Sequence, residues 1–187
     1  KTTTSINLAA SLAKTRRRVL LIDLDPQGNA TMGSGINKEQ ANPTTYEILI
    51  GTATLEASTL VTDSGYSLVP ANAHLSGAEV ELIGMERRER RLRQALEGAA
   101  EKFDYILIDC PPSLNLLTVN ALVAAQSVLI PMQCEYYALE GLTALVGTIR
   151  KIRETLNPRL EIEGLLRTMF DPRNTLVSVK RFMGRGL

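Results

Sequence analysis

The sequence contains no tryptophan, a single histidine and two cysteines, and these shortages exclude several kinds of chemistry. With His74 alone, no multi-histidine metal site can be built, and no histidine-based catalytic triad is read here; His74 is taken as a surface or packing residue. Cys110 and Cys134 are too few and too far apart for a disulfide framework, so they are read as small apolar side chains in a reducing cytoplasm. No signal peptide is read in these residues, and no apolar run approaches the ~20 residues that a membrane-spanning helix needs. Neither charge sign dominates: 21 Lys and Arg against 20 Asp and Glu leave +1, which gives no global attraction to nucleic acid or anionic lipid. Aromatic residues are only 4% of the chain. Any core must therefore rest on aliphatic packing.

Apolar residues make up 44% of the 187, an ordinary globular balance and a length suited to one domain. Ile6, Leu8, Ala9, Leu12 and Ala13 recur at helical spacing and predict a helix over 1–14. Val19-Leu20-Leu21-Ile22-Asp23 is a short apolar run without alternation, the pattern of a strand covered on both faces. Tyr105 to Asp109 and Ser127 to Pro131 repeat it, and Ile162 to Phe170 and Tyr66 to Val69 add weaker strand patterns. Between them, amphipathic helices are predicted over Arg87 to Ala100, Asn115 to Ala125 and Leu139 to Leu156. The stretch from Ile36 to Ser64 is the least periodic and is expected to carry a short helix at Tyr46 to Ile50. This alternation predicts an α/β fold: one doubly wound, mostly parallel open sheet flanked by helices on both faces.

In such sheets ligands collect at the carboxyl ends of the strands, where Asp23, Asp25 and Asp109 stand. A lone strand-end aspartate can merely cap the following helix. Three of them concentrate carboxylates at one edge, and Asp23 and Asp25, two residues apart, leave their strand on the same side. Asp25-Pro26-Gln27-Gly28-Asn29 is turn chemistry that lets backbone approach a ligand closely. Ile106-Leu107-Ile108-Asp109 is an apolar strand ending in a carboxylate suited to a magnesium ion or its water shell, and Cys110-Pro111-Pro112 makes a stiff exit. Lys1-Thr2 at a helix start has the form of the last two residues of a phosphate loop, G-x-x-x-x-G-K-[ST], although the pair alone has almost no specificity.

Taken together, Lys1-Thr2-Thr3-Thr4-Ser5-Ile6-Asn7-Leu8-Ala9-Ala10 and Val19 to Thr31 resemble the ParA/Soj partition ATPases, whose variant Walker A motif runs K-G-G-x-G-K-T-T. Pro70 to Leu82, Tyr105 to Leu114 and Pro131 to Leu142 resemble the same family, so the likeness runs from Lys1 to about Leu176. The resemblance implies a P-loop NTPase fold with ATP and Mg2+ as cofactors. It implies Lys1 as phosphate-binding lysine, with Thr2 and Thr3 at the nucleotide, and Thr2 as magnesium ligand. By the same likeness Asp109 would be the Walker B aspartate at the metal, Asp23 would support the magnesium shell and Asp25 would orient the attacking water. Also implied are an ATP-dependent homodimer, non-specific DNA binding, a ParB-type partner, and a cytoplasmic, nucleoid-associated location without stable membrane association.

Against the family pattern, the chain is expected to be a single partial domain over 1–187 that lacks a first strand with its glycine loop and the family's C-terminal part; residues 177–187 form an atypical tail. A chain without that loop is expected to bind ATP poorly. Two other readings compete. One is a MinD-type, membrane-associated septum-site ATPase, against which Asp25 to Asn29 and Cys134-Glu135-Tyr136-Tyr137 speak. The other is a non-hydrolysing remnant. The nitrogenase iron proteins share this ATPase fold, but their cluster-ligand surroundings are not recognisable here. Arg16-Arg17-Arg18 and Arg87 to Arg93 read as solvated faces, with DNA phosphate contact as the alternative.

Overall fold

The computed structural model describes residues 1–133 and 136–169; the Cys134-Glu135 pair, Phe170, the family-like segment 171–176 and the tail 177–187 lie outside the described residues. The chain opens with helix α1 (Thr2–Lys14), which leads to strand β1 (Val19–Asp23). Short helices α2 (Asn29–Gly33) and α3 (Thr45–Ile50), strands β2 (Leu60–Val61) and β3 (Ser67–Val69) and helix α4 (Leu75–Ile83) follow. A 3-10 turn at Arg88–Arg90 precedes α5 (Arg91–Ala95) and α6 (Ala99–Lys102). Strand β4 (Tyr105–Asp109), helix α7 (Leu116–Ala124), strand β5 (Ser127–Gln133), helix α8 (Tyr136–Thr155) and strand β6 (Glu161–Thr168) complete the described part.

Strand β1 lies between β3 and β4, parallel to both, and the short β2 adds an antiparallel edge, giving the order β2-β3-β1-β4. All five residues of β1 are buried, as its unalternating apolar pattern predicts for a strand with helices on each face. Its side chains alternate between two clusters. Leu20 and Ile22 pack with Ile48, Leu75, Leu82, Leu92 and Leu117 on one face. Val19 and Leu21 pack with Ala9, Ala30 and Leu68 on the other, with Ile6 and Leu12 of α1 against them. A third cluster joins Leu122 and Val123 of α7 to Ile130, Ile149, Ile152 and Leu160 around β5 and β6.

Three expectations need correction. The single sheet is in fact two hydrogen-bonded sheets: β5 and β6 form their own parallel pair, and among the described residues β4 and β5 each pair along one edge only. The continuous helix expected over Arg87 to Ala100 is broken into the 3-10 turn, α5 and α6, because Gly98 adopts φ +81° and Arg87 φ +52°, conformations that no α-helix carries. The helices α2 and α4 were absent from the sequence reading; α2 is one short turn and α4 opens with the turn-like Asn72-Ala73-His74. His74 is exposed, as expected. Among the described residues no helix is long and apolar enough to cross a membrane.

Candidate functional site

Parallel pairing puts Asp23 directly beside Asp109, and the amide of Leu24 donates to the Asp109 carbonyl at 2.9 Å, so β1 and β4 end at the same edge. Helix α1 starts at that edge as well. Lys1 stands at its N-cap position without a side-chain cap, which leaves first-turn amides with no intrahelical acceptor and a positive dipole end. Lys1, Thr2 and Thr3 share one cleft of about 660 Å³ with Asp25 and Cys110. The three segments singled out in the sequence thus converge.

The turn after β1 is built from its own carboxylates. Asp23 is fully buried; its Oδ1 accepts from the Asp25 amide at 3.2 Å, and its Oδ2 accepts from the Thr31 amide at 2.8 Å and hydroxyl at 2.7 Å. Both oxygens of Asp23 therefore face protein donors. Burial pushes its carboxyl up to about 6, and the three hydrogen bonds only partly offset that rise. Thr31 in turn accepts from the Ala71 amide at 2.9 Å, which ties the turn to the exit of β3. The Thr45 hydroxyl donates to the Asp23 carbonyl at 2.7 Å and further secures this corner.

Asp25 is nearly buried, with 9% of its surface exposed, and its Oδ1 accepts from the Gln27 amide at 2.9 Å, an Asx turn that holds the carboxylate at the wall of the cleft. Gly28 follows at φ +62°, and a Cβ there would lie 2.7 Å from the Ala71 carbonyl oxygen, so the tight approach needs glycine. Lys38 closes the turn from outside through a 2.8 Å bond from Nζ to the Gln27 carbonyl.

Asp109 sits behind the cleft wall at 3% exposure. Its Oδ1 accepts from the Ser5 hydroxyl at 2.8 Å, while Oδ2 is buried and has no protein partner. A buried carboxylate oxygen without a protein donor is the chemistry of a cation ligand. Among the described residues no group of three or more His, Cys, Asp or Glu side chains forms a self-sufficient metal site. That donor set suits magnesium, which is commonly held by one or two carboxylates together with hydroxyl, water and phosphate oxygens. The Cys110 thiol at the wall is pushed up to about 12, chiefly by burial and next by the adjacent Asp109, so it is an inert lining group.

Sequence reasoning missed Thr31, Ser5 and Ser76. Ser76, in the first turn of α4, lines the same cleft. Nothing in the local pattern signals Thr31, because its partnership with Asp23 spans eight residues and depends on the fold of α2. The arginine runs behave mainly as packing and solvated residues. Arg18 Nε and Nη2 both donate to Asp104 Oδ1, at 3.3 and 2.7 Å, and Arg91 donates to the Leu49 carbonyl at 2.9 Å.

Residues 1–162 match the family described as AAA domain. The chain is 56% identical to the chromosome partitioning protein ParA of Myxococcus xanthus, over 92% of this chain and 62% of that protein. It is 52% identical to the sporulation initiation inhibitor protein Soj of Bacillus subtilis, over 94% of this chain and 70% of Soj. The solved structure of cobyrinic acid a,c-diamide synthase from Mycobacterium smegmatis, holding an ATP analogue and magnesium, superposes with a TM-score of 0.91 at 41% identity, covering 94% of this chain and 72% of that one.

Proposed function

Since the chain belongs to the AAA-domain family and, within it, to the ParA/Soj partition proteins of P-loop NTPase fold, we propose that it supplies the catalytic part of a magnesium-dependent ATPase acting in chromosome or plasmid partitioning. The observation that carries this reading is that Lys1 and Thr2, at an uncapped helix start, share one cleft with Asp25 and with Cys110, the residue next to Asp109 and its orphaned oxygen. ATP is the substrate and Mg2+ the cofactor in this reading; the mycobacterial synthase named above holds an ATP analogue and magnesium.

In this reading Lys1 and the first amides of α1 bind the terminal phosphates, and Thr3 lines the same cleft. The Thr2 hydroxyl and Asp109 hold the metal, which when bound neutralises charge on the phosphoryl oxygens. Asp25, fixed by the Gln27 amide, orients the attacking water and holds its proton. Asp23, whose two oxygens already accept from Asp25 and Thr31, supports the metal shell indirectly by setting the turn that carries Asp25. The complete partition machine extends the proposal to a nucleotide-dependent homodimer that binds DNA without sequence preference and answers to a ParB-type partner in the nucleoid region of the cytoplasm.

Titration with a fluorescent ATP analogue, with Mg2+ and with EDTA, tests the nucleotide reading on this chain and on a form extended by a glycine loop ahead of Lys1. Magnesium-strengthened binding in at least the extended form is the expected result, and its absence from both sinks the proposal. Asp25→Asn should retain that binding while hydrolysis in the extended form falls by about 10²-fold or more, the scale of a lost general base.

A further inference from the structure

We propose that Ser5 is a positioning residue for Asp109: its hydroxyl fixes one carboxylate oxygen and thereby reserves the other for the metal. The proposal rests on the nucleotide-site reading above and deepens it by assigning a residue to which that reading gives no role.

Ser5 lies three residues after Thr2 on α1, and residues at that spacing share one helix face. The helix that presents Thr2 to the cleft thus presents a second hydroxyl toward β4. Its single proton has two acceptors in reach, the Lys1 carbonyl at 3.4 Å and Asp109 Oδ1 at 2.8 Å. The shorter and charge-assisted bond to the carboxylate dominates. Asp109 itself is 3% exposed, so water has little access to replace that donor.

The consequence is an asymmetric carboxylate. Oδ1 is occupied across the α1–β4 contact, and Oδ2 is buried with no protein donor. Without Ser5 both oxygens would lack a protein donor, and the torsion that points one of them toward a cation would be held only by packing. Attachment of α1 to the sheet does not depend on this bond, because Ile6, Ala9 and Leu12 already pack α1 against Leu21 and Leu68, with Leu107 of β4 in the same cluster. A hydroxyl at this position is therefore better explained by the carboxylate it orients than by the helix it anchors.

The test compares Ser5→Ala and Ser5→Thr with the parent sequence in the glycine-loop-extended form, measuring ATP-analogue affinity as Mg2+ is varied and again in EDTA. Ser5→Ala should raise the Mg2+ concentration needed for half-maximal strengthening by about tenfold, the usual scale for losing a group that orients a metal ligand. Its affinity in EDTA should match the parent, and Ser5→Thr, which keeps the hydroxyl, should restore the parental Mg2+ requirement. An unchanged requirement in Ser5→Ala overturns the assignment, and so does an equal loss of affinity with and without metal, which would mark a purely structural bond. If the parent itself shows no Mg2+ dependence, the nucleotide reading falls and this inference falls with it; a Mg2+-dependent parent with an unaffected Ser5→Ala overturns only the role of Ser5.

Discussion

Asp23 is a buried carboxylate at the corner that holds the site. Its carboxyl is raised from 3.8 to about 6, so the folded state binds its proton more tightly than the unfolded chain does. The sign follows: the stabilising contribution of this group is complete below about pH 4 and is lost as pH rises through 6, a swing of roughly 3 kcal/mol at most. Urea denaturation in EDTA between pH 4 and 7.5 should show the stability of the parent chain falling relative to Asp23→Asn over that window, and parallel pH profiles would refute it. The neighbouring Gly28 makes a second residue-level test. Gly28→Ala places a Cβ 2.7 Å from a backbone oxygen at φ +62°, and should lower stability by about 1–3 kcal/mol in the same denaturation assay. The sequence showed Asp23 at a strand end and Asp25 and Gly28 in the turn that follows it. It did not show that Asp23 spends both oxygens on Asp25 and Thr31, since that depends on where α2 folds back over the strand exit.

Among the secondary-structure elements, strands were easier to read than helices. Both β1 and β4 begin and end where their apolar runs do, and in β1, buried on both faces, no alternating pattern blurs the ends. Tyr66, expected at the start of β3, precedes it; its ring is buried, its hydroxyl donates to Ser34 at 2.7 Å, and its carbonyl accepts from the Thr62 amide at 3.0 Å. Helical periodicity over Arg87 to Ala100 was real yet misleading: Leu92 packs in the core as expected, but Gly98 ends the run of helical backbone. The short helix expected near Tyr46 opens with a capping box, Glu47 accepting from the Thr44 amide at 2.7 Å and Thr44 from the Tyr46 amide at 3.2 Å. Thr44 is almost fully buried, so Thr44→Ala should cost about 1–2 kcal/mol by thermal or urea unfolding, and a change within error would show that packing alone holds α3.

For the molecule as a whole, helix α7 joins two cores. Leu117 and Ala121 belong to the cluster beneath the four-stranded sheet, whereas Leu122 and Val123 belong to the cluster around β5 and β6. Asn157 reinforces the second of these by donating to the Leu122 and Ala125 carbonyls at 2.9 and 2.8 Å. Among the described residues β5 and β6 share no ladder with β4, whereas α7 contributes side chains to both cores. Ile149 on α8 is buried in the second cluster alone, so Ile149→Ala should cost roughly 2–5 kcal/mol locally without touching the first. Native-state hydrogen exchange then distinguishes the two cases: amides of β5 and β6 should lose protection in Ile149→Ala while those of β1 and β4 keep theirs. Leu117→Ala, by contrast, should loosen β1 and β4, whose exits carry Asp25 and Asp109, and so should weaken nucleotide binding from a position outside the cleft. Uniform loss of protection across both sheets in Ile149→Ala would mean that the cores unfold as one unit and that α7 transmits every perturbation between them.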